Sequence, residues 1–128
     1  MKIFGRPKIM KPFFLQGPVF PNPLVEPADI KSLKTPTEAL PELQYVFDAI
    51  TTTRTELAGL VPLLGFTGAP WTLMSYMIEG GGSKTQAKSK RWLYSKPEES
   101  HRLLQLITDV SVEYLVQQVI LLNYLLLS

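Results

Sequence analysis

The sequence contains no cysteine. Disulfides and thiolate-bound metals are excluded with it. It has one histidine, His101, which excludes a multi-histidine metal centre. Charge of one sign is scarce as well. Thirteen Lys and Arg face 11 Asp and Glu, a formal net charge of +2. A dedicated nucleic-acid binder carries a more basic face, so no nucleic-acid partner is expected. Long apolar runs are also missing. The C-terminal YLVQQVILLNYLLLS is interrupted by Gln117, Gln118 and Asn123. It falls short of the roughly 18 residues of a membrane span, and no membrane partner is expected. The N-terminal MKIFGRPKIMKPFFLQGP is basic, but it lacks the apolar core of about 7 residues that a secretory signal requires. The cytoplasm is the expected location. There is no internal repeat and no low-complexity tract.

What remains fits one modest globular domain. The chain has 128 residues, 45% hydrophobic and 19% charged. Proline is abundant and unevenly placed. Pro7, Pro12, Pro18, Pro21, Pro23, Pro27 and Pro36 all fall within residues 1–37. Proline fixes φ and has no amide hydrogen, so long helices and central strands are disfavoured there. Residues 1–37 read as an irregular, extended segment with a short edge strand near Phe13 and Leu15. Segments of this kind wrap around something larger or await a partner. Residues 38–128 read as a second, ordered unit.

Helical periodicity begins there. Leu43, Val46, Phe47, Ile50 and Leu57 define one apolar face over residues 38–58, and Gly59 reads as its C-cap. The apolar LVPLLGF, residues 60–66, reads as a short buried strand. A helix over residues 71–79 follows, with Pro70 in its tolerated first turn and glycines at its end. Residues 84–94 read as a short basic helix. Ser95–Glu98, SKPE, reads as a capping box that opens the last helix. Leu103, Leu104, Ile107, Val110, Tyr114 and Leu115 lie on one stripe of that helix, which is expected to run to about Leu126. A helix followed tightly by an apolar strand is half of a parallel α/β repeat. One strand cannot make a sheet, so the chain reads as a piece of an α/β fold.

The stretch richest in chemistry is GFTGAPWTLMSYMIEGGGS, residues 65–83. Gly65 and Gly68 flank a sharp turn, where glycine allows close approach of another group. In parallel α/β proteins the loops after the strands form the active face. Phe66 would offer that face an apolar wall and Tyr76 a phenolic donor. Phe66, Trp71 and Tyr76 also read as plain core aromatics, and both readings stand at this point. The stretch has neither the G-x-G-x-x-G spacing of a dinucleotide loop nor a P-loop Lys-Ser/Thr pair. Lys84, Lys88 and Arg91 share one positive face that suits a polycarboxylate or phosphate, or simply solvent. His101 reads as structural. Glu79 reads as a helix-end charge or a loop-anchoring salt bridge rather than a catalytic group.

GFTGAPWTLMSYMIEG, residues 65–80, resembles the second signature of the uroporphyrinogen decarboxylase family and satisfies each of its constrained positions. FPNPL (residues 20–24), LQYVFDAITTTRTELAG (residues 43–59) and KRWLYSKPEESHRLLQLITD (residues 90–109) extend the resemblance over residues 18–119. It implies an α/β fold, a fragment of a (β/α)8 TIM barrel, roughly its second to fourth units. It implies a cytosolic homodimer that removes carbon dioxide from the four acetate side chains of uroporphyrinogen III. The product is coproporphyrinogen III, in haem and porphyrin biosynthesis, and neither a metal nor an organic cofactor is used. An aspartate would bind the pyrrole NH groups and stabilise charge on the protonated ring, with arginines holding carboxylates. Residue by residue, Tyr76 matches the signature tyrosine beside the reacting acetate, in a catalytic and substrate-binding role. Phe66 matches the phenylalanine lining the cleft, and Gly68 a glycine of the same turn.

The departures shape the expectation. The family's first signature, with its arginines, has no match here. Asp29, Asp48 and Asp109 do not match the context of the catalytic aspartate, and the serine and histidine of later strands are absent. After about Val119 the sequence ILLNYLLLS leaves the family pattern and reads as a truncation, an alternative splice end or a gene-model error. The expectation is a family member that does not decarboxylate by itself. The alternative is a non-catalytic isoform or interaction fragment that docks on the full-length enzyme through its apolar C-terminal helix. A methyltransferase of the same superfamily fits less well, since those enzymes bring zinc-ligating cysteines.

Overall fold

A computed structural model describes residues 18–123. The expected edge strand near Phe13 and the helix end near Leu126 lie outside the described residues. Among the described residues five α-helices follow one another: α1 (Pro36–Ala39), α2 (Gln44–Leu57), α3 (Pro70–Glu79), α4 (Ala87–Ser95) and α5 (Pro97–Asn123). 3-10 turns occupy Pro27–Ser32 and Leu40–Leu43.

The long helix α5 organises the rest, because α2, α3 and α4 all pack along it. Its predicted stripe is real. Leu103, Ile107 and Val110 are fully buried, and Leu104, Tyr114 and Leu115 are half-buried. Met74, Met77 and Ile78 of α3 meet Leu103 and Ile107, with Trp92 of α4 closing the cluster. Each such side chain contributes roughly 1.5–3 kcal/mol on burial. Farther along α5, Tyr114 lies 5.7 Å from the ring of Phe47 on α2. The predicted α2 face is also real, with Leu43 and Phe47 buried and Val46, Ile50 and Leu57 half-buried.

Four expectations are corrected. The helix expected over residues 38–58 is interrupted, because its path through Pro41 tightens into the 3-10 turn Leu40–Leu43. Its C-cap is Ala58, with φ of 47°, and Gly59 follows at φ of 79°. The strand expected over residues 60–66 is absent, and no strand occurs among the described residues. A strand exists only by pairing, and Pro62 removes one donor from this segment. The capping box at Ser95 does not form. Ser95 ends α4, and its hydroxyl donates back to the Arg91 carbonyl at 2.7 Å.

The proline-rich segment is less irregular than expected, and part of it acts as a strap. The Phe20 N–H donates to the Gly80 carbonyl at 2.8 Å, and the Leu24 N–H to the Met77 carbonyl at 2.8 Å. Those carbonyls end α3 and lack partners inside the helix. Leu24 and Leu33 carry the strap into the core. Between them Asp29 accepts the Val25 and Glu26 N–H groups at 2.9 and 3.0 Å, which turns the chain into Pro27–Ser32.

Candidate functional site

The turn between residues 60 and 69 has no helix or ladder of its own, yet Phe66 within it is fixed. Its N–H donates to Gln118 Oε1 at 3.0 Å. Its carbonyl accepts from Gln118 Nε2 at 3.1 Å. Gln118 projects from α5 and is only 3% exposed. One buried carboxamide thus supplies both bonds that a neighbouring strand would give. Gly65 makes the approach possible. A Cβ there would stand 2.7 Å from Gln118 Oε1 and 3.3 Å from Leu122 Cδ1. The Phe66 ring itself is 81% exposed. The backbone is held and the ring is presented outward, which overturns the core reading for Phe66.

Tyr76 sits half-buried on α3, one turn before the glycines. Its ring stacks on Phe20 with centroids 6.4 Å apart and planes at 20°. The strap that carries Phe20 is the one bonded to Gly80. Gly68 lets the turn close on the first turn of α3, since a Cβ there would stand 2.8 Å from Leu73 Cδ2. The three sequence-predicted residues therefore lie on one turn-helix unit. Its two aromatic members have separate supports, α5 for Phe66 and the strap for Tyr76.

Other candidates take structural places. Glu79 Oε1 accepts from the Ser89 N–H at 3.0 Å and the Ser89 hydroxyl at 3.1 Å. It anchors α4 by hydrogen bonds rather than by a salt bridge. Trp71 packs half-buried against the core, and its Nε1–H donates to Gln86 Oε1 at 3.3 Å. Lys84, Lys88, Arg91 and His101 are all exposed. No group of three or more His, Asp and Glu able to hold a metal occurs among the described residues. The clefts at Pro36, Leu40 and Val112 and at Leu57, Val61 and Leu122 do not reach Phe66 or Tyr76.

Comparison with known proteins bears on this geometry. The family model for uroporphyrinogen decarboxylase (URO-D) matches residues 10–121. The chain belongs to the uroporphyrinogen decarboxylase family. It is similar to the uroporphyrinogen decarboxylase of Danio rerio, 64% identical over 104 residues, which is 81% of this chain and 28% of that protein. The human enzyme of that name is 59% identical over 105 residues, 82% of this chain and 29% of that protein. That of Schizosaccharomyces pombe is 60% identical over 104 residues, covering 81% and 29%. The chain thus spans under a third of the length of these relatives.

Within this family segment, sequence reasoning named Phe66, Gly68 and Tyr76 as candidates and missed two supports. Gln118 read only as an interruption of an apolar run. No local signal sets Gln118 against a glycine turn 52 positions away. Phe20 read as part of a proline-rich tract, with no periodicity to place it against Tyr76.

Proposed function

We propose that this chain is one wall of a uroporphyrinogen decarboxylase cleft, a fragment of a (β/α)8 barrel whose other walls lie in the remainder of the fold. The reaction is decarboxylation of the four acetate side chains of uroporphyrinogen III to coproporphyrinogen III. The observation that carries this reading is the Phe66 ring, 81% exposed on a backbone fixed at both polar atoms. An apolar ring held in that way suits a flat, partly apolar macrocycle. Phe66 walls the cleft, Gly68 shapes the turn, and the Tyr76 hydroxyl donates a hydrogen bond beside the reacting acetate. Residues 38–128 form the barrel segment and residues 1–37 the proline-rich segment that precedes it. The whole enzyme is a cytoplasmic homodimer that needs neither metal nor organic cofactor.

The chain does not decarboxylate alone. Charge on a protonated pyrrole needs a carboxylate aimed at the ring centre. Asp29 is engaged with Val25 and Glu26. Asp48 and Asp109 lie exposed on α2 and α5, each accepting from a glutamine on its own helix. The test is a chimera in which this chain replaces the matched 104 residues of the Danio rerio relative. The chimera forms coproporphyrinogen III, and the isolated chain does not. Phe66→Ala and Tyr76→Phe in the chimera lower kcat/KM on the order of tenfold or more. A folded chimera without turnover, or turnover by the isolated chain at the relative's rate, overturns the reading.

One observation favours a second reading, a non-catalytic truncated isoform or interaction fragment. Val112, Val116, Val119 and Ile120 leave an apolar strip of α5 exposed. Such a strip suits docking on the full-length enzyme. Co-purification of the tagged chain with the full-length relative distinguishes the two.

A further inference from the structure

The cleft reading gives Phe66 a task and leaves Gln118 without one. We infer that Gln118 is a positioning residue, whose carboxamide sets where the Phe66 wall stands. The inference rests on the reading that Phe66 faces the substrate.

Three observations carry it. First, the Phe66 ring is exposed, so few packing contacts restrain it, and its backbone sets the position and direction from which the ring projects. Second, residues 62–69 have no regular secondary structure, and the two bonds to Gln118 replace the missing ladder. Third, the clamp is built for one side chain. Gly65 is the residue whose lack of a Cβ leaves room for it. Gln118 is buried, so losing either partner strands a polar atom. Neither Leu nor Glu reproduces the pattern. Leucine fills the space and offers no bond. An ionised glutamate accepts the Phe66 N–H and opposes the Phe66 carbonyl. A protonated one donates to that carbonyl and restores the second bond.

The experiment uses the 128-residue chain and its Gln118→Leu and Gln118→Glu variants. Amide hydrogen exchange at Phe66 is read against Met74 and Ile78 of α3. Binding of uroporphyrin III, the stable oxidised form of the substrate, is read by quenching of tryptophan fluorescence in the chimera with the Danio rerio relative, which supplies the other walls and carries the same substitutions. In Gln118→Leu the Phe66 amide exchanges at least tenfold faster relative to its intrinsic rate, while Met74 and Ile78 keep their protection. Affinity for uroporphyrin III falls about tenfold, as expected for one buried bond pair. In Gln118→Glu both losses shrink as the introduced carboxyl is protonated, beyond any change in the wild type. In a Phe66→Ala background Gln118→Leu costs no affinity, because the residue acts through the ring.

Each contrary result is decisive. Equal Phe66 exchange in wild type and Gln118→Leu overturns the clamp. An affinity loss that persists in the Phe66→Ala background shows a general structural role and overturns positioning. If Gln118→Leu fails to fold, the pH response of Gln118→Glu decides alone, and a flat response overturns the inference. If the chimera with unsubstituted Gln118 does not bind uroporphyrin III, the cleft reading fails for this chain. The exchange data then accept or reject the clamp independently.

Discussion

At the residue scale, two glycines show how similar sequence signals serve different needs. Gly80 caps α3 at φ of 84°, where an added Cβ would meet nothing nearer than 3.5 Å. Its requirement is conformational, and Gly80→Ala costs about 1–2 kcal/mol through the left-handed backbone. Gly65 has no such backbone demand. A Cβ there would stand 3.2 Å from Gln118 Cβ as well as against the amide oxygen. The amide cannot swing away without breaking both bonds to Phe66. Gly65→Ala therefore costs on the order of 1–3 kcal/mol as overpacking and releases Phe66. Denaturant titration reads the stability of both variants. Only Gly65→Ala accelerates exchange of the Phe66 amide. A third residue, Glu38, ties folding to pH. Its carboxylate accepts the Thr35 N–H at 3.0 Å and the Thr35 hydroxyl at 2.8 Å. The backbone bond from Thr35, then its hydroxyl, holds the carboxyl below its ordinary pKa. A depressed folded pKa adds stability above the ordinary carboxylate range, and acid removes it as pH falls through the lowered value. Wild type therefore melts higher than Glu38→Gln at pH 7, and the gap closes in stronger acid. A gap that stays constant with pH rules this linkage out.

At the element scale, α4 depends on a neighbour. Its N-cap, Gln86, sits in the left-handed region at φ of 51° and makes no side-chain cap bond. The Glu79 carboxylate, at the end of α3, takes the N–H of Ser89 in the first turn of α4. A carboxylate there also complements the helix dipole. Glu79→Ala should cost about 1–2 kcal/mol, as for other lost caps. Glu79→Gln, which keeps an acceptor without the charge, should cost less. Hydrogen exchange across Ala87–Ser95 checks this, with α2 unaffected. Such help from another element is where sequence reading reaches its limit. The helices were legible because Leu103, Ile107 and Val110, or Leu43 and Phe47, repeat at helical spacing. Pro70 and Gly80 marked the ends of α3 by chemistry that is local. Phe66 and Tyr76 stood out as candidates through their match to the signature. The pairing of residues 60–66 was not, because a ladder depends on a segment elsewhere in space. Ser95 was misread because a serine at a helix boundary can cap forward or bond backward, and only packing decides. Gln118 and Phe20 act across 52 and 56 positions, and no local pattern encodes such contacts.

At the scale of the whole molecule, the helices cover one side of the connecting segment and leave the other bare. Leu60 is 84% exposed and Leu64 83%, beside the presented ring of Phe66. Val61 and, on α5, Val112, Val116, Val119 and Ile120 are exposed as well. Neighbouring exposed side chains of this size make association favourable, since each buried apolar Å² contributes about 25 cal/mol. Residues 62–69 have no ladder of their own, so backbone groups there can add to another strand. No helix among the described residues is long and apolar enough to cross a membrane. The isolated chain should therefore self-associate as its concentration rises. Sedimentation velocity should show a weight-average mass climbing above 14.4 kDa. Leu60→Lys with Leu64→Lys should restore the monomer, because both side chains are exposed and contribute little to the core. Helical content should stay unchanged in that variant. The chimera with the longer relative should stay at a defined mass without the lysines, because its other segments cover the same surface. A chain that remains monomeric at all accessible concentrations would show that residues 60–66 are content in water. It would then remove the physical ground for treating this surface as the place where the rest of the proposed barrel, or a proposed full-length partner, would dock.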